Sequence, residues 1–306
     1  MDFIVQFCSF LVIFLIGIRL LQTSLLFFVG EKMKLWLTVA TNNLLKSIIV
    51  GTVATILLQS SSLVLILTIS LVTIGALPFR QTIGIILGAN VGTTISGELL
   101  ALAPKDLYLF ILLIGLILLL AKKNSIFFFG AFCVGLGLIL VGLTGFESLA
   151  AWVITNNRLV HVVEAINNET FFAILTGTGL SATIQSSSAS FGIILALFDQ
   201  HLISLTAAIA IMLGTNIGTC VTGLIAMIGA KKEARLVAYS HTYFNLFTVA
   251  VVSPFIGTLT KIAEHLANDP KLQLAHISVV FNIISVIIVL PFLPIIERYL
   301  KRNKRI

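Results

Sequence analysis

Two short polar motifs occur twice in this chain, in the same order and at the same spacing. Gln59-Ser60-Ser61-Ser62 returns as Gln185-Ser186-Ser187-Ser188, and Gly88-Ala89-Asn90-Val91-Gly92-Thr93 returns as Gly214-Thr215-Asn216-Ile217-Gly218-Thr219. Each second copy follows its first by 126 positions, as Gly177-Thr178 follows Gly51-Thr52 and Gly223 follows Gly97. No gap is needed across the 47 residues from 51 to 97. Chance matching in apolar sequence scatters Leu and Ile identities; it does not return two polar motifs at one offset. The chain is an internal duplication.

Composition says in which solvent the two copies fold. Hydrophobic residues are 58% of the 306, charged residues only 10%, and mean hydropathy is +1.12. Soluble domains carry about 25% charged residues, so this chain cannot cover itself with a wetted surface. Apolar runs near the ~20 residues that cross a bilayer recur at Phe3 to Val29, Leu107 to Ala121, Ile126 to Leu143, Val237 to Leu259 and His276 to Ile296. The first, interrupted by Arg19 and Gln22, has no basic leader and no small-residue cleavage site. It reads as a retained helix rather than a signal peptide. Cys8, Cys133 and Cys220 show no metal-ligand spacing and read as small core residues. The sequence pI of about 9.5 comes from basic residues in short loops and at the C-terminus, where topology signals belong. It is no nucleic-acid footprint.

Those basic residues orient the copies. Lys32, Lys34 and Lys46 precede the first Gln-Ser-Ser-Ser, and Lys122-Lys123 follow the helix after the first copy. Lys231, Lys232 and Arg235 follow the second, and Arg298, Lys301, Arg302, Lys304 and Arg305 close the chain. Lys105-Asp106, Glu147 to Glu169 and Lys261 to Lys271 are balanced or acidic. With basic loops in the cytoplasm, the first copy begins inside and ends outside, and the second does the reverse. One map fits every loop if each Gln-Ser-Ser-Ser segment is a hairpin entering and leaving on one side. It puts the N-terminus outside and the C-terminus in the cytoplasm.

The expected fold is an all-α polytopic membrane protein of inverted repeats with re-entrant hairpins and broken helices, an architecture of secondary transporters. A first transmembrane helix (3–29, within 1–30) precedes unit one (31–105). That unit holds an amphipathic inner-surface segment at 31–46, a hairpin at 47–77 and a broken helix at 82–103. Connecting helices near 106–121 and 125–143 (106–145) lead to unit two (146–235), with an interfacial segment at 146–170, a hairpin at 171–199 and a broken helix at 203–228. Helices near 236–259 and 275–297 and a basic cytoplasmic tail complete it (236–306).

The motifs carry ion-binding chemistry. Ser is a favoured N-cap, so a half-helix starting at Ser60 or Ser61 would aim free N–H groups at the break, an anion site at the positive end of a helix dipole. Gln59 and Gln185 each offer an amide oxygen to a cation and an NH2 to an anion. In Gly88 to Thr94, flanking glycines let the helix unwind. Carbonyls, the Asn90 amide oxygen and the Thr93 hydroxyl then suit a small hard cation, with Gly214, Asn216, Gly218 and Thr219 as partners. Neither motif holds a charged residue. A divalent anion bound there needs compensation from dipoles and co-bound cations, which points to Na+ coupling.

Duplicated Gln-Ser-Ser-Ser, each followed by Gly-x-Asn-x-Gly-Thr, resembles the type II sodium/phosphate cotransporter family over most of the chain. Ala238-x-x-His241-x-x-Phe244-Asn245 resembles that family's Ala-x-x-His-x-x-Phe-Asn element. The resemblance implies a symporter with no cofactor beyond Na+ as coupling ion. Ser60, Ser61, Ser62, Ser186, Ser187 and Ser188 would face inorganic phosphate; Gln59, Asn90, Thr93, Gln185, Asn216 and Thr219 would line the Na+ and substrate sites. A similar element at Ala275 to Asn282 has Ser278 at the family's His position, which argues against a role for His276. Some bacterial relatives carry a soluble PhoU-like C-terminal domain. This chain stops at Ile306, so such regulation is expected from a separate PhoU-like partner. A homo-oligomer fits the same reading.

Other residues attract blander readings. Arg19 snorkels or reaches a cavity, His241 is a hydrogen-bonded helix residue, and His161-x-x-Glu164 lies on an interfacial helix face. The rival functions are a Na+-coupled carrier of another anion such as a carboxylate or sulfate, a phosphate exporter, or a passive anion channel. An enzyme is disfavoured because no nucleophile–base pair or metal cluster accompanies the motifs.

Overall fold

The computed structural model describes residues 3–39, 41–104 and 107–293, and every regular element in them is helical. α1 (Phe3–Val39) leads into α2 (Leu44–Leu58), α3 (Ser61–Thr73) and α4 (Phe79–Leu102). α5 (Tyr108–Leu118), α6 (Asn124–Ser148), α7 (Ala150–Thr155) and α8 (Asn157–Asn168) follow. Next come α9 (Thr170–Ile184), α10 (Ser187–Asp199), α11 (Leu205–Gly218) and α12 (Cys220–Ala226). α13 (Lys232–Val252), α14 (Ile256–Leu266) and α15 (Pro270–Val289) end the described chain. The starts of α9, α10 and α11 each lie 126 positions after those of α2, α3 and α4.

Among the described residues, six stretches are long and apolar enough to cross a membrane: Phe3–Gly30, Phe79–Leu102, Asn124–Thr155, Leu205–Ala226, Arg235–Leu266 and Pro270–Phe292. The molecule is an all-α, multi-pass membrane protein. Its outer face agrees. Leu109, Phe110, Leu113, Leu116 and Leu120 around α5 are all exposed, an apolar face that water would not tolerate on a monomer.

Glycines set the tightest packing. A β-carbon at Gly88 would overlap the Ile48 carbonyl oxygen, and one at Gly51 the Ile85 carbonyl oxygen. The second copy repeats both contacts, Gly214 against Ile174 and Gly177 against Ile211. Backbone therefore touches backbone, and a hydroxyl crosses each seam: Thr52 Oγ1 lies 3.0 Å from the Gly88 carbonyl and Thr178 Oγ1 3.2 Å from that of Gly214. This overturns the expected unwinding. α4 runs unbroken through Gly88 to Thr94, and the second copy is interrupted only at Thr219, between α11 and α12. The glycines admit a neighbouring helix instead of loosening their own.

Residue pairs fix the sense of each element. Ser47 meets Gly84, Ile48 meets Gly88 and Thr55 meets Gly92, so α2 and α4 run parallel. The chain between them must double back: Gln59, at the end of α2, is bonded by Ser96 near the end of α4, so α3 returns from that level toward the start of α4. In the second unit Ile174 meets Gly214 and Ser181 meets Gly218, so α9 and α11 are parallel as well. The units touch reciprocally. Gly97 of α4 receives the Phe191 ring of α10, and Gly223 of α12 receives Leu65 of α3. Phe191 is the 126-position counterpart of Leu65, and Gly223 that of Gly97, the pattern of a two-fold interface.

Other boundaries differ from expectation. α1 continues to Val39 in place of a separate segment at 31–46, because Met33 and Leu37 are fully buried against the first unit. α13 stops at a 3-10 turn, Ser253–Phe255, where Pro254 lacks an N–H, and α14 carries the span on to Leu266. α15 begins five residues before the expected 275, with Asp269 Oδ1 accepting the Lys271 N–H and Pro270 in the first turn. α5 has 11 residues, roughly 16 Å of helix, shorter than the span expected at 106–121. Cys8 is exposed on α1, so it is no core residue. Lys105-Asp106, the end of the expected helix 275–297 and the basic tail from Arg298 to Arg305 lie outside the described residues.

Candidate functional site

Each Gln-Ser-Ser-Ser is a break between two half-helices. Gln59 (φ 49, ψ 33) and Gln185 (φ 57, ψ 28) are left-handed C-caps of α2 and α9. Non-glycine residues hold that conformation at a cost of about 1–3 kcal/mol where the surroundings impose it, commonly at functional sites. The serines that follow are N-caps. Ser60 Oγ accepts the Leu63 N–H at 3.1 Å and Ser186 Oγ the Ala189 N–H at 3.2 Å. Each cap satisfies one of the orphan donors of its helix, and the others point at the break.

Both breaks open on one cavity of about 370 Å³. Gln59 and Ser60 to Ser62 line it from the first unit, Gln185 and Ser186 to Ser188 from the second. α1 supplies Arg19 and Gln22, and Arg19 is the one charged residue among the described residues of the wall. Gln22 Nε2 donates to the Gln59 carbonyl at 3.0 Å. The Gln59 side chain is itself engaged: Ser96 Oγ donates to Oε1 at 2.8 Å, and Nε2 donates to the Ile56 carbonyl at 2.8 Å. Gln59 therefore braces the turn, where the sequence reading had it offering both ends of its amide to ions. Arg19 reaches this cavity, one of its two readings from sequence, and so adds a cationic side chain to a wall whose motifs carry none.

Behind the breaks lies a smaller chamber of about 40 Å³. Ser61, Asn90 and Thr93 line it together with their counterparts Ser187, Asn216 and Thr219, so it sits where the two copies meet. Ser278 and Asn282 of α15 join them. Five of its hydroxyls spend their hydrogens on helix carbonyls: Thr93 on Ala89 at 2.9 Å, Thr219 on Thr215 at 2.9 Å, Thr94 on Val91 at 2.7 Å, Thr215 on Met212 at 2.7 Å and Ser278 on Ala275 at 2.7 Å. What these five leave for the chamber is oxygen lone pairs. Asn90 is held from α13, donating to Asn245 Oδ1 at 2.9 Å, with His241 Nε2 3.4 Å from its Oδ1.

All twelve residues expected at the site thus line one cavity or the other. Arg19, Gln22, Ser278 and Asn282 are among those that join them in the walls, and Ser96 and Asn245 hold Gln59 and Asn90 in place. Each is a polar residue in an apolar run, which is the signal available in sequence; none lies in the duplicated motifs. His241 is buried and hydrogen-bonded, as its bland reading had it. His161 and Glu164 pair at 3.2 Å on an exposed face of α8. His276 Nδ1 lies 2.8 Å from Glu98 Oε1, and neither residue lines either of these cavities. Among the described residues no three of His, Cys, Asp and Glu gather to hold a metal.

Fold and site together define a multi-pass helical membrane protein with one polar site built from two copies of a helix–break–helix unit. The chain belongs to the Na+/Pi-cotransporter family, whose family model matches residues 13–148 and 151–290. That family is one of transporters, not enzymes. The chain is 34% identical to the uncharacterized protein YqeW of Bacillus subtilis over 289 residues, 94% of each chain. It is 25% identical to the putative inorganic phosphate export protein YjbB of Salmonella typhimurium, over 94% of this chain and 53% of that one, so it spans about half that relative's length. To the human sodium-dependent phosphate transport protein 2C it is 33% identical over 107 residues, 30% of this chain and 18% of that one. No solved structure matches it.

Proposed function

We propose that this chain is a secondary carrier that moves inorganic phosphate coupled to Na+ by alternating access. The observation that carries the reading is the single cavity onto which both serine breaks and Arg19 open. Capped helix N-termini supply N–H donors to an anion, and a guanidinium pairs with phosphate oxygens through two parallel hydrogen bonds. Ser60 to Ser62 and Ser186 to Ser188 are the proposed phosphate contacts. Asn90, Thr93, Asn216 and Thr219 are proposed to serve Na+, supported by a chamber wall of oxygen lone pairs. Gln59 then holds its turn between the two ions, and Gln185, which lines the cavity, is proposed to serve Na+.

The two units, 31–105 and 146–235, are proposed to be inverted, each break being the tip of a re-entrant hairpin. The loop charges and the reciprocal contacts support this: the Phe191 ring of α10 lies against Gly97 of α4, as its counterpart Leu65 of α3 lies against Gly223 of α12. Two units of opposite sense form the arrangement in which rocking one against the other exposes a central site alternately to each side. The N-terminus then lies outside and the C-terminus in the cytoplasm. The YjbB relatives are named for phosphate export. Net direction in such a carrier follows the ion and phosphate gradients.

Radiolabelled phosphate binding to the purified protein tests the substrate. Binding should be saturable, strengthened by Na+ over equal K+, competed by excess unlabelled phosphate and weakened in Gln185→Ala. Stronger competition by sulfate or a carboxylate than by phosphate would transfer the reading to that anion.

A further inference from the structure

Asn282 is 4% exposed, and its Oδ1 is buried without a hydrogen-bond partner. The orientation of its amide is determined by chemistry. Nδ2 donates to the Ser278 carbonyl at 2.9 Å, and only the NH2 end can donate. The oxygen is therefore the orphan, on a side chain that lines the inner chamber.

The two related elements on α13 and α15 show why no protein donor reaches it. Asn245 is tied to the His241 carbonyl in the same way, at 2.9 Å, and its Oδ1 receives the Asn90 amide. On the other side, Asn216 spends its amide on the Met212 carbonyl at 3.0 Å, which leaves Asn282 without the donor that Asn245 has. Where the first element has the His241 ring, the second has the small Ser278, whose hydroxyl hydrogen is already given to Ala275. Two oxygens from α15 thus join the lone pairs of Thr93, Thr219 and Asn216 in a chamber with no charged residue in its described wall. Buried polar atoms in proteins are nearly always satisfied. A small hard cation accepts neutral oxygen ligands of this kind, while an anion offers nothing to an orphan acceptor such as Asn282 Oδ1.

We propose that a monovalent cation of Na+ size binds in the inner chamber with Asn282 Oδ1 and Ser278 Oγ among its ligands. α15, outside the duplicated motifs, is then a structural part of the coupling site. This deepens the coupled-carrier reading, on which the identity of the ion as Na+ rests.

The test is binding of 22Na+ to the purified full chain in detergent, in K+ buffer without phosphate. Saturable binding is expected. Asn282→Leu, similar in volume but without the oxygen, should weaken it about tenfold or more, the scale of losing one contact to a charged group. Ser278→Ala should move affinity in the same direction, and Asn282→Asp, which retains an oxygen, should keep binding. If Asn282→Leu does not fold, Ser278→Ala decides. Unchanged Na+ affinity in both substitutions, or no saturable binding by the unaltered chain, overturns the proposal. Transport that needs Na+ yet ignores Asn282→Leu would remove this site and leave the carrier standing. Na+ binding lost in Asn282→Leu, beside transport indifferent to Na+, would keep the site and remove the coupling.

Discussion

An arginine in the middle of a membrane helix is expensive unless its head group reaches water, a partner or an anion. Arg19 is exposed, and the space beside it is the cavity of the two serine breaks. Arg19→Gln is therefore expected to raise KM for phosphate by about tenfold, the worth of one charge-assisted contact, with Arg19→Lys between the two. Measured uptake against phosphate concentration checks this; an unchanged KM would return Arg19 to snorkelling. The caps make a second prediction. Ser60→Ala and Ser186→Ala should each cost about 1 kcal/mol of stability, visible as a lower Tm, because each removes the acceptor of one helix N–H. At this scale the serines were legible, since Gln-Ser-Ser-Ser in an apolar run signals a break with its own cap. Arg19 was not. It lies outside the repeat, and no periodicity in a helix that is apolar all round says which face meets the site.

The helical elements depend on close backbone approach. Gly88→Ala and Gly214→Ala should destabilise by similar amounts, about 1–3 kcal/mol for overpacking, because each β-carbon would overlap a carbonyl in the same relative place. Gly179→Ala provides the contrast. Nothing lies within 4 Å of a β-carbon there, and Ala is favoured over Gly in a helix by about 1 kcal/mol, so thermal melts should show it neutral or stabilising. Equal melting of all three variants would remove the packing role assigned to Gly88 and Gly214. The misreading of Gly88 to Thr94 as an unwound turn has the same origin. Glycine serves both loosening and close packing, and only the position of α2 against α4 distinguishes them. The long α1 was missed for a related reason: Lys32 and Lys34 marked a surface segment, whereas the burial of Met33 and Leu37 depends on a distant partner.

For the molecule as a whole, the repeat was legible because polar motifs at one offset survive in an apolar background. The expectation of opposite senses comes from where the lysines fall. The proposal that the units are inverted predicts that Asn42 and Asn168, both exposed and preceding α2 and α9, lie on opposite sides of the membrane. Single cysteines there, with Cys8, Cys133 and Cys220 replaced by Ser, should react differently with a membrane-impermeant maleimide. In intact cells position 168 should label and position 42 should not. Labelling from the same side would contradict the inversion. Not legible was the place of α15 in the chamber wall, since the departure at Ser278 from the family pattern spoke only against a role for His276; the chamber gives that departure a reason, since a smaller residue leaves room beside Asn282.

The central claim, that one site built by two opposed units couples phosphate to Na+, is tested most directly by radiolabelled phosphate uptake into proteoliposomes of the purified protein under an inward Na+ gradient, set against an equal K+ gradient. The account predicts accumulation above the external concentration with Na+, collapse of that accumulation when the gradient is dissipated, and its loss in Gln185→Ala. Equal flux under Na+ and K+, running only to equilibrium, would contradict coupling and describe a passive anion pathway.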